Sequence, residues 1–250
     1  MAVTIPLKDA FTGTTRTVTY RREDGCGTCS GSGAAAGSAP ETCSTCGGRG
    51  QVQRSQGFFM VQQACPACHG AGQTIITPRL DCRGEGVQVA ENEVEIRIPA
   101  GIESGQQMRV SGEGNVGCRG GPRGDLLVVV QVEEHTIFQR DGDHLVCEVP
   151  ITFGQACLGA KIDIPTLSGL NSLKIPAGTQ SGRVFRMRGQ GMPNLHGYGT
   201  GDLHARVVVE TPTKLTAKQK ELLRDFDAVD DIAHKPQQKS FLDKVKELFD

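Results

Sequence analysis

The chain has 250 residues, with 27 basic against 28 acidic side chains, 33 glycines, ten cysteines, no tryptophan and only 4 % aromatics. So balanced a charge disfavours a nucleic-acid binder, which needs a basic face to displace counterions from phosphates. No apolar run is long enough to span a membrane, the opening MAVTIPLKDAF lacks the basic flank and apolar core of a secretory signal, and most cysteines fall in C-x-x-C pairs; thiolate–metal chemistry inside a cell, with no membrane partner, is expected.

In chain order, a strand is expected at Thr17–Tyr20, and a cysteine-rich block follows over 25–86. Three C-x-x-C-x-G-x-G motifs stand in it, at Cys26–Gly33, Cys43–Gly50 and Cys65–Gly72. Two thiolates separated by two residues can grip one tetrahedral zinc, and the trailing glycines permit the turn that aims backbone N–H groups at the sulfurs. A fourth copy, from Arg79 to Gly86, keeps Cys82 and both glycines but has Arg79 in the first cysteine's place. The stretch QVQRSQGFFMVQQA reads as two short strands about Gly57, a hairpin that joins the second motif to the third. The metal sites are therefore expected to be nested: a complete one from Cys43, Cys46, Cys65 and Cys68, and an incomplete one from Cys26, Cys29 and Cys82. Asp81, Cys118 or water are the candidates to complete the second. One firmly held Zn²⁺ and a second, weaker one follow.

Further strands are expected at Glu93–Ile98, Leu126–Val132 and Leu145–Ile151, with turns at Ser104-Gly105, Asp141-Gly142 and Ser181-Gly182. The stretch IPAGIESGQQMRVSGEG from Ile98 returns as IPAGTQSGRVFRMRGQG from Ile175, with 16 identities over positions 98 to 133 at a shift of 77. Such self-similarity marks repeated structural units. In the second copy Lys161–Ile164 reaches Leu173–Ile175 through a short loop; in the first, the cysteine block occupies that place. The expectation is a mainly β chain of two tandem homologous β-sandwich-like domains: 1–24 with 87–135, carrying the insert 25–86, and then 136–213. Cys147 and Cys157 are expected to be inert core thiols.

The segment 214–250 is expected to be helical. Thr216 and Gln219 have capping-box spacing before Leu222, Leu223 and Phe226, and a second amphipathic helix carries Phe241, Leu242, Val245, Leu248 and Phe249. That apolar face either packs on the chain's own β domain or serves as a dimerisation arm.

The motifs and the segments GFFMVQQACPACHGAG, HTIFQRDGDHLVCEVPI and GDLHARVVVETP resemble the zinc-containing DnaJ family of co-chaperones over nearly the whole chain. The resemblance implies a non-enzymatic protein of the folding and stress machinery. It binds unfolded polypeptides, presents them to a DnaK-type ATPase and dimerises through its C-terminus, most simply in the cytoplasm. Aligned on the first zinc motif and on IPAG, the family's peptide pocket falls on Val18, Tyr20, Val94 and Val128; alternatively these residues face the core. The His-Pro-Asp J domain of the family is not in the sequence, so a fragment is expected. Two rival functions use the same cysteines: a thiol–disulfide oxidoreductase, and a zinc-knuckle nucleic-acid binder whose insert has only Phe58 and Phe59 for stacking.

Overall fold

The computed structural model describes residues 1–56, 59–117, 121–229 and 236–247. The fold is mainly β, built from several small sheets. Strand β1 (Ala2–Ile5) runs parallel to β9 (Leu126–Val132), which pairs on its other side with β8 (Gln107–Val110). The long strand β2 (Thr14–Gly25) pairs antiparallel with β7 (Val87–Ile98) over its whole length, from Thr14 opposite Ile98 to Gly25 opposite Val87. A four-stranded sheet orders β10 (Phe138–Asp141), β11 (His144–Thr152), β15 (Leu203–Glu210) and β14 (Val184–Met187), and a separate pair joins β12 (Ala160–Thr166) to β13 (Gly169–Ile175).

The repeat is legible in the backbone. Shifted by 77, β8 falls on β14, and the ends of β7 and β13 coincide. Two short helices that the sequence reading missed extend the match: α1 (Leu7–Thr12) and α2 (Phe153–Leu158) precede β2 and β12 and end at Gly13 and Gly159. Both glycines have positive φ, and a Cβ on either would lie 3.0 Å from a backbone nitrogen, that of Ala100 or its repeat mate Ala177. Helix α2 opens with a reciprocal capping box between Thr152 and Gln155, a local signal that was present in the sequence.

By compactness the chain separates into two units. One comprises residues 1–148, 165–171 and 184–206; its fully buried side chains include Ile5, Ile96, Ile98, Val128, Leu145 and Leu203. The other comprises 149–164, 172–183 and 207–250, and buries Ile151, Ile164, Ile175 and Val207. In that second unit α3 (Ala217–Val229) begins at the expected capping box, where Gln219 N–H donates to Thr216 Oγ1 at 3.3 Å and Thr216 N–H to Gln219 Oε1 at 2.8 Å. Phe226 of α3 meets Phe153 of α2 edge-on, with centroids 5.7 Å apart. Helix α4 (Pro236–Glu247) follows. Among the described residues, no helix is long and apolar enough to cross a membrane.

Candidate metal centre

Past the last β2–β7 pair the chain continues as a nested, folded-back arm. Ala34 bridges Pro78; β3 (Glu41–Thr42) pairs with β6 (Gln73–Thr74); and β4 (Gln51–Gln56) pairs with β5 (Phe59–Ala64), Gln51 opposite Ala64. Gly57 and Phe58, between β4 and β5 in the chain, lie outside the described residues. Antiparallel pairing on both flanks brings the second motif against the third, and the first against the fourth.

All four motifs fold alike. The residue after the second cysteine sits in the left-handed region (Ser30, Gly47, His69 and Arg83, φ 46 to 58°), and the motif glycines follow at positive φ. The turn aims an N–H at the sulfur: Gly33 donates to Cys29 Sγ at 3.2 Å, Gly50 to Cys46 Sγ at 3.3 Å and Gly72 to Cys68 Sγ at 3.2 Å. The first residue of each motif donates its N–H to the last glycine of the partner motif. Cys26, Cys43 and Cys65 do so at 2.9 to 3.0 Å, and Arg79 does so to Gly33 at 2.8 Å. The fourth motif has lost a ligand and kept its fold.

The sulfurs converge in two groups, each within 4.8 Å: Cys43, Cys46, Cys65 and Cys68, all buried, and Cys26, Cys29 and Cys82, of which Cys29 is half-buried. Sulfur separations across the pairs are 3.9 Å for Cys43–Cys65, 3.7 Å for Cys46–Cys68 and 3.8 Å for Cys29–Cys82. A tetrahedral zinc with Zn–S of about 2.3 Å needs S–S edges of about 3.8 Å. Among the described residues, half-buried Val52 alone is the apolar side chain packed against the inner four sulfurs. Donor type, number and spacing fit zinc.

The thiols are unequal in acidity. A backbone N–H from Cys46 brings the Cys43 thiol down to about 7. The Thr28 hydroxyl, 3.0 Å from Cys26 Sγ, brings Cys26 down to about 7, while burial pushes Cys82 up. Asp81 does not join the outer sulfurs as a ligand. Its Oδ2 accepts from Arg79 Nε at 3.0 Å and Thr28 Oγ1 at 3.1 Å, and its carboxyl is held low by Arg79 first. Arg79 is held charged chiefly by that bond and secondarily by Cys26 and Cys29. Cys118 lies outside the described residues.

Of the remaining cysteines, Cys147 is buried, but Cys157 is exposed rather than in the core, because α2 turns it to solvent. One cluster had no sequence signal: His144, Asp202 and His204, with the two imidazoles stacked at 5.1 Å. His144 Nδ1 accepts from Asp202 N–H, and the Asp202 carboxylate accepts from Arg186 and Gly189, so the group is a hydrogen-bonded tie between strands.

The four positions aligned to a peptide pocket fall on β2 (Val18 and Tyr20), β7 (Val94) and, in a separate sheet, β9 (Val128). Val18 is half-buried opposite Val94. Tyr20 and Val94 are nearly covered, and Val128 is fully so. The Tyr20 hydroxyl is tied to Glu113 at 2.8 Å, beside Arg22, which also pairs with Asp24. At the C-terminus, Phe241 is exposed and Val245 half-buried on α4; Leu248, Phe249 and the side chain of Leu242 lie outside what the structure describes.

Comparison with known proteins adds three findings. The family described as DnaJ C terminal domain matches residues 1–212, and that described as Chaperone protein DnaJ C-terminal region matches 218–250. The Chaperone protein DnaJ of Nitrosomonas europaea is 44 % identical over 248 residues, which are 98 % of this chain and 67 % of that protein.

Proposed function

This chain belongs to the DnaJ C-terminal domain family of non-enzymatic co-chaperones, and from that premise we propose that it captures non-native polypeptides for transfer to a DnaK-type ATPase. The observation that carries the capture step is the position of β2. In the described sheets β2 has a strand partner on one side only, β7, and presents Val18 half-buried at that margin. An extended segment can add there by backbone hydrogen bonds, which give affinity without demanding one sequence. Val18 is the contact with side chain still open to a client, while Tyr20 and Val94 flank it on the same face of the β2–β7 pair and Val128 is fully buried on β9. The division of labour follows the repeat: 1–24 with 87–135 binds, 25–86 is the zinc arm, 136–213 is the second β domain, and 214–250 joins two copies in the cytoplasm.

The test is suppression of aggregation of an unfolded protein by the chain without ATP. Val18→Asp places a carboxylate where an apolar side chain must dock, and lowers suppression severalfold while the circular dichroism is unchanged. Undiminished suppression by that variant removes the β2 margin as the client site. Light scattering at micromolar concentration reads the dimer, and a monomeric full chain removes the association role of α4.

A further inference from the structure

Resting on the zinc reading of the outer thiols, we propose that the Cys26, Cys29 and Cys82 site is a coordination site with an exchangeable fourth position that takes a thiolate from outside the chain, the cysteine of a client segment.

The two metal groups differ in number and in burial of their sulfurs, and both differences point in one direction. The inner group supplies four buried sulfurs and is closed. The outer group supplies three among the described residues, one of them half-buried. A site with three protein ligands leaves zinc a position for an exchangeable partner, the arrangement that distinguishes reactive from structural sites.

The residue at the fourth ligand's place keeps the backbone geometry of a ligand without being one. The Arg79 N–H bond to Gly33 O repeats that of Cys43 to Gly72 O and Cys65 to Gly50 O, so the knuckle still presents its first position toward the sulfurs. The Arg79 side chain is instead turned along its own knuckle to Asp81. Asp81 is in turn engaged by Thr28, so its carboxylate is bonded to Arg79 and Thr28 and is not grouped with the outer sulfurs.

The charges favour an anion of the same kind as the three ligands present. Arg79 and Asp81 cancel, so a fourth thiolate brings the outer site to the charge that the inner site already carries. Softness selects sulfur over a carboxylate or carbonyl oxygen. Binding releases the thiol proton to solvent as its sulfur enters the coordination shell, and no bond within the chain changes.

The rim matches an unfolded client. Leu80, between Arg79 and Asp81, is 91 % exposed, and Ile76 is 70 % exposed. An apolar segment that carries a cysteine meets both a sulfur position and an apolar neighbour.

The experiment loads the full chain with Co²⁺ under anaerobic conditions and reads metal per chain and the sulfur-to-cobalt charge-transfer absorption. The probes are 2-mercaptoethanol and a short apolar peptide with one cysteine, against its serine counterpart. The expected result is two cobalt ions per chain and a saturable rise of about one thiolate per chain with either thiol probe. The serine peptide gives none, and Arg79→Cys shows the higher absorption from the start and does not respond. Leu80→Ser weakens the cysteine peptide about threefold to tenfold while leaving mercaptoethanol unchanged. The proposal is overturned if the two-cobalt chain ignores both thiols, if Arg79→Cys responds like the unmodified chain, or if Cys118→Ser removes a thiolate before any probe is added. Uptake of a single cobalt overturns the outer metal reading itself, which separates the two failures.

Discussion

A Cβ on Gly50 would lie 2.5 Å from the carbonyl oxygen of Gly70, and the Gly72–Gly48 approach repeats it at the same distance. The glycines of the second and third motifs therefore do two jobs. They allow positive φ, and they let two knuckles meet backbone to backbone so that four sulfurs reach one point. The same contacts recur, closer still, between Gly33 and Gly84 and between Gly86 and Gly31.

Gly50→Ala should accordingly damage the inner site without touching a ligand. Strain from φ of 72° and the collision with Gly70 together cost roughly 1–3 kcal/mol, about tenfold or more in metal affinity. Zinc release to a chromogenic chelator measures it; release indistinguishable from the unmodified chain would mean that the knuckles do not need this approach.

Acidification should empty the two sites in order. Metal binding requires thiolates, so protons compete with zinc as pH falls. Without metal, Cys26 and Cys43 ionise at about 7, whereas burial pushes the Cys82 thiol up, so zinc must displace its proton to solvent. The outer site, with three thiolates and that reluctant proton, is expected to lose zinc at a higher pH than the inner four-thiolate site. One coincident release step in a pH titration from 8 downward would contradict this ordering, and Arg79→Cys should move the outer step toward lower pH.

A second pH dependence comes from the polar cluster at the foot of the arm. Arg123 first, and then Asn92 and Arg22, hold the Asp24 carboxyl below its ordinary value, and the Tyr20 hydroxyl does the same for Glu113. Groups whose folded pKa is depressed contribute stability that is fully present above the unfolded value of about 4, and that is lost as pH falls through the folded value. Asp24→Asn should lower the melting temperature more at pH 7 than at pH 3, because the contribution shrinks as pH falls below the unfolded value toward the depressed folded one. An equal loss at both pH values would assign the effect to packing.

Val128 and Val18 should separate in their effects. Val128 has no exposed surface, so Val128→Ala removes core volume and costs roughly 2 kcal/mol of stability. Denaturant unfolding should detect that loss, while client holding per folded molecule stays level. If Val128→Ala cuts holding with stability unchanged, then a client reaches deeper than β2's margin.

Thr216→Ala should fray the start of α3. Its hydroxyl is the acceptor for Gln219 N–H, and loss of such a cap costs about 1 kcal/mol. Hydrogen exchange over the first turn of α3 should quicken, and unchanged protection there would show that contacts such as Phe226 on Phe153 already hold the helix.

The sequence by itself determined the mainly β character, the duplication and the nested grouping of the cysteines. Each of these is written in local signals: periodicity, a constant shift between two copies, and C-x-x-C spacing short enough for covalent geometry to aim both sulfurs at one ion. It also showed that Arg79 replaces a ligand. Only the tertiary structure decided what that replacement does, because the partners of Arg79 depend on how the arm folds back: Asp81 is drawn to Arg79 and to Thr28, more than fifty positions away in the chain. In the same way Val128 reads as one valine in a run of three, and its full burial on β9, opposite Met108 of β8, is a property of the assembled sheet. Cys157, apolar in its sequence context, faces solvent because α2 is a six-residue helix with one buried residue, Ala156. The His144–Asp202–His204 tie lay beyond any sequence reading, since two strands 58 residues apart meet there only after folding. Local pattern specifies which elements form; the choice of partner across the fold follows from burial and hydrogen-bond satisfaction, which no short window of sequence contains.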